Sequence, residues 1–321
     1  MKDMSNLKNV IDEIERQRKS RERYQLGLAV LGTVAVLGIV TFAAPSFMPK
    51  VHEVPVATVP EASAFDDVVL SAKAAIVYDL TTGEILYEKN AEAQLPLASL
   101  TKLLTLYAAI DALAPEAAVT LSPRALSAEG DNGFVEGDTF SFTDAAKMAL
   151  VASSNDAAAA IAEAAATARR ASNSTALMAS AAASLGLSQT YALNGTGLDE
   201  NGRVSGAYGS PHDIAKLAGE LLRRAPDIAR ASLSPSVTAT SGAGFSYTLK
   251  NTNPDVDRIP GLLLSKTGFT DLAGGNLAIV FDAGIGHPIA IVVMGSTKDE
   301  RFLDVGRLVR ATMQDFAGLS L

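Results

Sequence analysis

The sequence predicts one α+β domain that follows a single transmembrane helix. Short apolar runs bounded by turn residues, a pattern typical of strands, occur at 74–87 and again at 261–294. The stretch between them is rich in alanine and carries helix-start and helix-stop signals. Because strand patterns flank helical patterns, we expect both ends of the domain to pair in one antiparallel sheet and the middle to form a helical lobe.

The composition narrows the chemistry that the chain can perform. It has no Cys and three His among 321 residues, which excludes thiol nucleophiles, disulfides and thiolate zinc sites and leaves little room for a metal held by several His. The formal net charge of −8 argues against nucleic acid as a partner, because phosphate binding needs a basic surface. We therefore expect no cofactor, and chemistry carried by Ser, Lys, carboxylates or backbone groups.

Residues 1–44 indicate where the protein lies in the cell rather than which reaction it catalyses. Residues 25–44 are uncharged and long enough to cross a bilayer as a helix, and a basic stretch at 16–23 precedes them. Because basic flanks tend to stay in the cytoplasm, residues 1–24 are predicted to be a cytoplasmic segment, with the lipid bilayer as the partner of the helix. A cleaved signal peptide and a buried core helix are the alternatives.

A spacer is predicted at 45–63. Prolines recur in it, at Pro45, Pro49, Pro55 and Pro60. Such spacing favours an extended, semi-rigid segment over a folded element. The folded domain is therefore predicted to span 64–321.

The domain opens with two predicted strands, at 74–79 and 84–87, which flank a short turn. Helices are predicted at 143–151 and at 175–185, and Gly186 closes the second of them.

The second half of the domain also carries sequence signals for helices and for strands. Ser210 and Pro211 open a helix as its N-cap and its first-turn proline. Three further apolar runs predict strands at 261–265, 276–281 and 289–294. Apolar residues that recur at helical spacing predict a last helix at 299–316.

A Ser-x-x-Lys motif from Ser99 to Lys102 leads into an apolar helical run at 103–113. On a helix this spacing places the hydroxyl and the amine on one face, one turn apart. A neutral lysine amine can activate a serine hydroxyl, and the start of a helix offers free backbone N–H groups to a developing oxyanion. Alone the motif is weak, since Ser5 and Lys8 repeat it, and a helix cap with a solvated lysine is the alternative interpretation.

A polar stretch from Ser153 to Asp156 lies between two helical runs. Ser153 and Asn155 alternate along this loop, so we expect a hydroxyl and an amide to face one cavity. Asp156 is predicted to be the N-cap of the helix that follows. The alternative interpretation is a helix boundary without a functional site.

The third motif is Lys266-Thr267-Gly268, at the end of a predicted strand. It presents a cation and a hydroxyl, and its glycine allows the backbone of a ligand to approach the strand closely. The alternative interpretation is an edge strand protected by a lysine.

Together the three motifs, in this order, are the set found in penicillin-interacting serine enzymes. The domain resembles the serine-type D-Ala-D-Ala carboxypeptidases, which are low-molecular-mass penicillin-binding proteins. The resemblance extends over almost the whole domain, through stretches at 78–84, 96–102, 154–158, 251–253 and 266–274. It implies a β-lactamase/transpeptidase-like fold. With the predicted N-terminal helix as a single-pass anchor, we expect this domain to lie outside the cytoplasm, at a bacterial cell membrane.

The resemblance also implies an acyl-transfer mechanism on peptidoglycan stem peptides, inhibited by β-lactams. Ser99 would attack the carbonyl between the two terminal D-alanines, while Lys102 accepts its proton. Ser153 and Lys266 would pass that proton to the departing D-alanine. Asn155 would hold the amide of the substrate.

Further residues are implied as contacts of the substrate. The backbone N–H of the nucleophile and that of Phe269 would form the oxyanion hole. Thr267 and Thr270 would contact the substrate carboxylate, beside Gly268. Arg301 resembles a family arginine that attracts this carboxylate, at slightly shorter spacing, and Phe269 stands where many relatives carry a polar residue.

Other activities share the three motifs. A class A β-lactamase adds a Glu-x-x-Leu-Asn-like stretch after the second motif, and Glu200-Asn201, the nearest acidic candidate, does not match it. A D,D-endopeptidase that cuts cross-links would use the same site. A non-catalytic penicillin-binding scaffold is the last alternative, although all the acting residues are present.

Overall fold

The structure, a computed structural model, describes residues 3–43, 63–284 and 286–318. The predicted proline-rich spacer at 45–63 therefore lies, except for its last residue, outside the described residues. The chain divides into two compact units, Met1–Pro60 and Glu61–Leu321.

The first unit contains helix α1 (Asp3–Ala43), of 41 residues. Its described side chains, at 12–34, are dense in charge up to Arg23 and uncharged after it. Within the described residues no helix has both the length and the apolar composition that crossing a membrane requires. The predicted anchor at 25–44 is thus not confirmed, and its side chains from residue 35 onward lie outside the described part.

The second unit contains all the other described elements. Its helices are α2 (Thr101–Ile110), α3 (Phe142–Val151), α4 (Asn155–Ala168), α5 (Ser174–Ser184), α6 (Pro211–Arg224), α7 (Pro226–Ala231) and α8 (Glu300–Phe316). Its strands are β1 (Ala74–Asp79), β2 (Ile85–Lys89), β3 (Leu95–Pro96), β4 (Ala118–Thr120), β5 (Thr139–Ser141), β6 (Tyr191–Ala192), β7 (Ala207–Gly209), β8 (Ser236–Thr240), β9 (Ser246–Lys250), β10 (Leu262–Thr270), β11 (Gly274–Asp282) and β12 (Pro288–Ser296).

The main sheet has five strands in the order β10-β11-β12-β1-β2, and every neighbouring pair is antiparallel. Strands from the start and the end of the domain meet where β1 pairs with β12, with Val77 opposite Ile291. The predicted α+β fold, with one antiparallel sheet built from both ends, is confirmed. The sheet places β10, which carries the third motif, at one edge.

Both faces of the sheet are covered, and the side chains of β12 alternate between two cores. Ala290 and Val292 belong to a core shared with the helical lobe, in which α2, α3, α4 and α6 pack. Ile291 and Val293 belong to a second core on the opposite face, which includes Leu308 of α8. Because successive side chains of a strand point to opposite faces, strands covered on both sides read as unbroken apolar runs.

Several local signals act as predicted. Ser210 caps α6 by accepting a hydrogen bond from the backbone N–H of Asp213, and Pro211 begins the helix. Gly186 follows α5 with a φ of 64°, a left-handed conformation that glycine adopts at low cost. The predicted strand at 261–265 is longer than expected, since β10 continues to Thr270 through its pairing with Gly274 and Gly275 of β11.

Candidate active site

Ser99 lies in a 3₁₀ turn, Ala98–Leu100, that runs directly into α2. The turn packs against β10 at Gly268, where an added Cβ would lie 3.2 Å from the backbone nitrogen of Ser99. A side chain there would force the neighbouring backbone to shift, so the glycine lets the strand and the backbone of the serine come within contact distance. Ala98 enters the turn with a φ of 47°, a strained value for a non-glycine residue.

Lys102 lies one helical turn after Ser99 and is 0% exposed. Its Nζ contacts three oxygens: Ser99 Oγ at 2.8 Å, Asn155 Oδ1 at 2.7 Å and the carbonyl of Thr196 at 2.9 Å. The amide and carbonyl oxygens can only accept hydrogen bonds. A neutral amine has two N–H groups for these two acceptors, and its lone pair is then directed at the serine hydroxyl.

The electrostatics of the site favour that neutral amine. Burial lowers the pKa of Lys102 from 10.5 to about 7, because the charged form loses its hydration. The carboxylate of Asp156 opposes this shift and raises the pKa. A lysine whose pKa lies near neutrality can accept a proton from a hydroxyl at physiological pH.

A second lysine–serine pair joins the other two motifs. Lys266 is 1% exposed, and its Nζ donates to Ser153 Oγ and to the carbonyl of Thr267, both at 2.9 Å. Burial is the largest cause that lowers its pKa well below 10.5, and the charges of Lys102 and Arg301 lower it further. The loop residue Ser153 reaches this lysine with a φ of 59°, another left-handed non-glycine conformation.

The loop between α3 and α4 directs Asn155 to the site. Ser154 caps α4 by accepting from the backbone N–H of Ala157, so the prediction that Asp156 is the N-cap is wrong. Asp156 lies inside the first turn, where its carboxylate is buried near Lys102. Burial raises the pKa of Asp156 to about 6.

The site therefore contains two hydrogen-bond networks. Ser99, Lys102 and Asn155 form one, and Ser153 and Lys266 form the other. Across the described residues, no group of three or more His, Asp or Glu could hold a metal ion.

Residues 60–298 of the chain match the peptidase S11 family, D-alanyl-D-alanine carboxypeptidase. The chain belongs to the peptidase S11 family.

Other members of the S11 family are similar along most of the chain. D-alanyl-D-alanine carboxypeptidase DacF of Bacillus subtilis is 32% identical over 253 residues, which are 74% of this chain and 61% of the relative. A D-alanyl-D-alanine endopeptidase of Pseudomonas aeruginosa is 30% identical over 75% of this chain and 77% of its own length. The chain thus spans about three fifths of the DacF relative, whose remaining length has no counterpart in this match.

Solved structures show the same fold. Penicillin-binding protein D2 of Listeria monocytogenes, in its ampicillin-bound form, is 30% identical, with a TM-score of 0.66 over 77% of this chain and 98% of that one. A D-alanyl-D-alanine carboxypeptidase of Mycobacterium tuberculosis is 25% identical, with a TM-score of 0.66 over 79% of this chain. The motifs of the S11 chain therefore lie on the fold that such enzymes use.

Thr267 and Thr270, the two threonines of β10, have protein partners in the S11 chain. Thr267 Oγ1 donates to Thr252 Oγ1 at 2.6 Å. Thr270 Oγ1 donates to Asp199 Oδ1 at 3.1 Å and accepts from the backbone N–H of Ala273. Both hydroxyls keep acceptor capacity, but their donor hydrogens are directed at other side chains.

Phe269 and Arg301 differ strongly in access to solvent. The Phe269 ring is 43% exposed, and the Nζ of Lys298 lies 5.5 Å from its centre. Arg301 is 6% exposed and donates from Nη1 to the carbonyl of Gly268 at 2.7 Å. The guanidinium thus supports the backbone of β10 from within the domain.

The loop Asn-Gly-Thr-Gly-Leu at 194–198 is part of the site and was not predicted from the sequence. Asn194 Oδ1 accepts from the backbone N–H groups of Thr196 and Gly197, and its amide donates to the carbonyl of Leu198. This Asx-type folding presents the carbonyl of Thr196 to Lys102. The only signal in the sequence is the turn-forming pair of glycines around one threonine.

Proposed function

We propose that the chain is a serine D,D-carboxypeptidase that removes the terminal D-Ala of peptidoglycan stem peptides, outside the cytoplasm, through an acyl-enzyme on Ser99. The observation that carries the proposal is the buried amine of Lys102. Its Nζ is 2.8 Å from Ser99 Oγ, and its other two contacts, Asn155 Oδ1 and the carbonyl of Thr196, can only accept. This arrangement supplies a base to a serine without any histidine.

The first step forms the acyl-enzyme. Ser99 Oγ bonds to the carbonyl carbon of the scissile amide as Lys102 Nζ takes its proton. The backbone N–H groups of Ser99 and Phe269 stabilise the charge on the carbonyl oxygen. The carbon–nitrogen bond then breaks, and the proton that Lys102 took passes to the nitrogen of the departing D-Ala with the help of Ser153 and Lys266.

The second step is hydrolysis of the ester. A water molecule adds to the ester carbon as Lys102 Nζ takes one of its protons, the bond to Ser99 Oγ breaks, and the serine receives that proton from Lys102. A β-lactam would undergo the first step by opening of its ring amide, and its leaving nitrogen would stay tethered to the acyl group. Penicillin is therefore a probe of Ser99 that does not depend on the natural substrate.

The test uses the domain, wild type and Ser99→Ala, with a labelled penicillin and with a pentapeptide that ends in D-Ala-D-Ala. We expect a covalent penicillin adduct and release of D-Ala from the wild type, and neither from Ser99→Ala. Absence of both from the wild type would overturn the proposal. Rapid turnover of penicillin without D-Ala release would favour a β-lactamase instead.

A second candidate is D,D-endopeptidase activity, favoured by the similarity to the endopeptidase of Pseudomonas aeruginosa, at 30% identity. It would cut the same kind of bond where the leaving nitrogen belongs to a cross-linked stem peptide. A cross-linked dimer and a linear pentapeptide, offered at equal concentration, separate the two activities. Faster cleavage of the dimer would assign the endopeptidase.

A further inference from the structure

A buried amide, outside the three motifs, connects the sheet to the segment that carries the nucleophile. Asn276, on β11, is 0% exposed. Its Nδ2 donates to the carbonyls of Pro96 at 3.0 Å and Leu97 at 3.1 Å. Its Oδ1 accepts from the backbone N–H of Gly295 at 2.8 Å, on β12.

The position of this amide relates it to the predicted oxyanion hole. Asn276 is the partner of Gly268 in the register of β10 and β11. A Cβ added to Gly268 would lie 3.0 Å from the carbonyl oxygen of Leu97 and 3.2 Å from the nitrogen of Ser99. The two paired residues thus contact the same short segment. Asn276 contacts it through its amide, and Gly268 lies close to it because it has no side chain.

That segment needs support because its conformation is unfavourable by itself. Ala98 has a φ of 47°, which a non-glycine residue holds only where the surroundings enforce it. The hydrogen bonds from Asn276 act on the two residues directly before Ala98. Ala98 in turn sets the direction of the N–H of Ser99.

We propose that Asn276 is a positioning residue for acyl transfer, which holds the Pro96–Ser99 segment against β10 so that the N–H groups of Ser99 and Phe269 converge on one oxygen. The inference rests on the proposed function, since it concerns the geometry of that reaction. An error of about 1 Å in such a geometry reduces rates on the order of 100-fold.

The test compares Asn276→Ala and Asn276→Asp with the wild type. The aspartate keeps the acceptor for Gly295 but loses both donors to Pro96 and Leu97. Stopped-flow acylation by penicillin separates the dissociation constant of the initial complex from the first-order acylation constant. We expect the acylation constant to fall about 10- to 100-fold in both variants, with a change below about threefold in the dissociation constant.

A matched control distinguishes positioning from simple loss of stability. Asp304 of α8 is also 0% exposed and accepts from the backbone N–H of Ala72 and from Ser296 Oγ. Asp304→Ala should lower the midpoint of thermal unfolding, with the acylation constant unchanged at temperatures where the protein is folded. If Asn276→Ala does not fold, Asn276→Ser, which keeps one donor, replaces it.

The outcomes are separable. Acylation constants of the Asn276 variants within threefold of the wild type, despite lowered unfolding temperatures, would overturn the positioning role. A wild type that forms no penicillin adduct would instead overturn the proposed function, before any variant is compared.

Discussion

At the scale of single residues, the main feature of the site is two lysines that are buried away from water. Lys102 and Lys266 are both buried, and burial is the largest cause of the lowered pKa of each. Desolvation favours the neutral amine, which is the form that can accept a proton. The negative charge of Asp156 raises the pKa of Lys102, so it limits how far burial lowers that pKa.

This balance predicts the pH dependence of acylation. Since the pKa of Lys102 is about 7, the acylation constant for penicillin should rise with pH through neutrality and level off above it. In Asp156→Asn the opposing carboxylate is gone, so we expect the rising limb to move to lower pH. Rapid-quench acylation from pH 5 to 9 measures both curves.

The exposed Asp227 of α7 offers a control for the loss of one negative charge. In Asp227→Asn, the rising limb of the pH dependence of acylation should stay at the same pH as in the wild type. If the rising limb of acylation does not shift to lower pH in Asp156→Asn, the Asp156 carboxylate does not act on the pKa of Lys102.

At the scale of elements, a helix cap determines which side chains of the second motif reach the site. The sequence offers four candidate caps in a row, from Ser153 to Asp156, and each is a residue type that caps helices well. The choice of Ser154 depends on the path of the loop, in which Ser153 turns through a positive φ to reach Lys266. Composition alone cannot rank these four, and for this reason the predicted cap was wrong.

We expect Ser154→Ala to lower the free energy of unfolding by about 1 kcal/mol, the usual cost of losing an N-cap. Because α4 begins at Asn155, which contacts Lys102, acylation by penicillin should also slow. Ser210→Ala removes the equivalent cap of α6, a helix that carries none of the site residues, and should cost similar stability with no loss of acylation. Denaturant titration and the acylation assay, run on both variants, test the comparison, and equal acylation in both would contradict it.

The loop at 194–198 leads to a sharper prediction. Gly197 has a φ of 79°, and an added Cβ would lie 1.8 Å from the carbonyl oxygen of Ala98 and 2.5 Å from Thr101 Oγ1. Gly197→Ala must therefore push the loop away from the nucleophile and withdraw the carbonyl of Thr196 from Lys102. We expect acylation by penicillin to fall on the order of 100-fold.

Gly202 is the matched control for Gly197, since nothing lies within 4 Å of a Cβ added there. Gly202→Ala should acylate at the wild-type rate, as measured in the same assay. Wild-type acylation by Gly197→Ala would show that the close packing of this loop is dispensable.

At the scale of the whole molecule, the sequence predicted periodic features well and isolated contacts poorly. Apolar runs at both ends of the domain were enough to predict one sheet, because burial on two faces leaves a continuous pattern. Asn276 leaves no such pattern, because it is one polar residue whose role depends on backbone carbonyls that only folding brings near. The carbonyl of Pro96 that Asn276 binds lies 180 residues earlier in the chain.

The burial of Lys102, on which the proposed mechanism depends, also couples the stability of the domain to pH. The pKa of Lys102 is about 7 in the folded protein and about 10.5 when the chain is unfolded and the lysine is hydrated. Between these values the unfolded state binds one more proton at this residue, so the free energy of unfolding rises with pH by about 1.4 kcal/mol per unit. Below pH 7 the lysine is charged in both states and contributes no slope.

We therefore expect Lys102→Met to lose about 1.4 kcal/mol per pH unit of slope, relative to the wild type, between pH 7.5 and 9.5. The absolute stability of the variant also reflects the oxygens of Asn155 and Thr196 that lose their donor, but this cost does not depend on pH in that range. Urea titrations at each pH give the slopes, with Lys250→Met, an exposed lysine of β9, as the control that should follow the wild type. Parallel curves for Lys102→Met and the wild type would mean that this lysine is not held neutral in the folded protein.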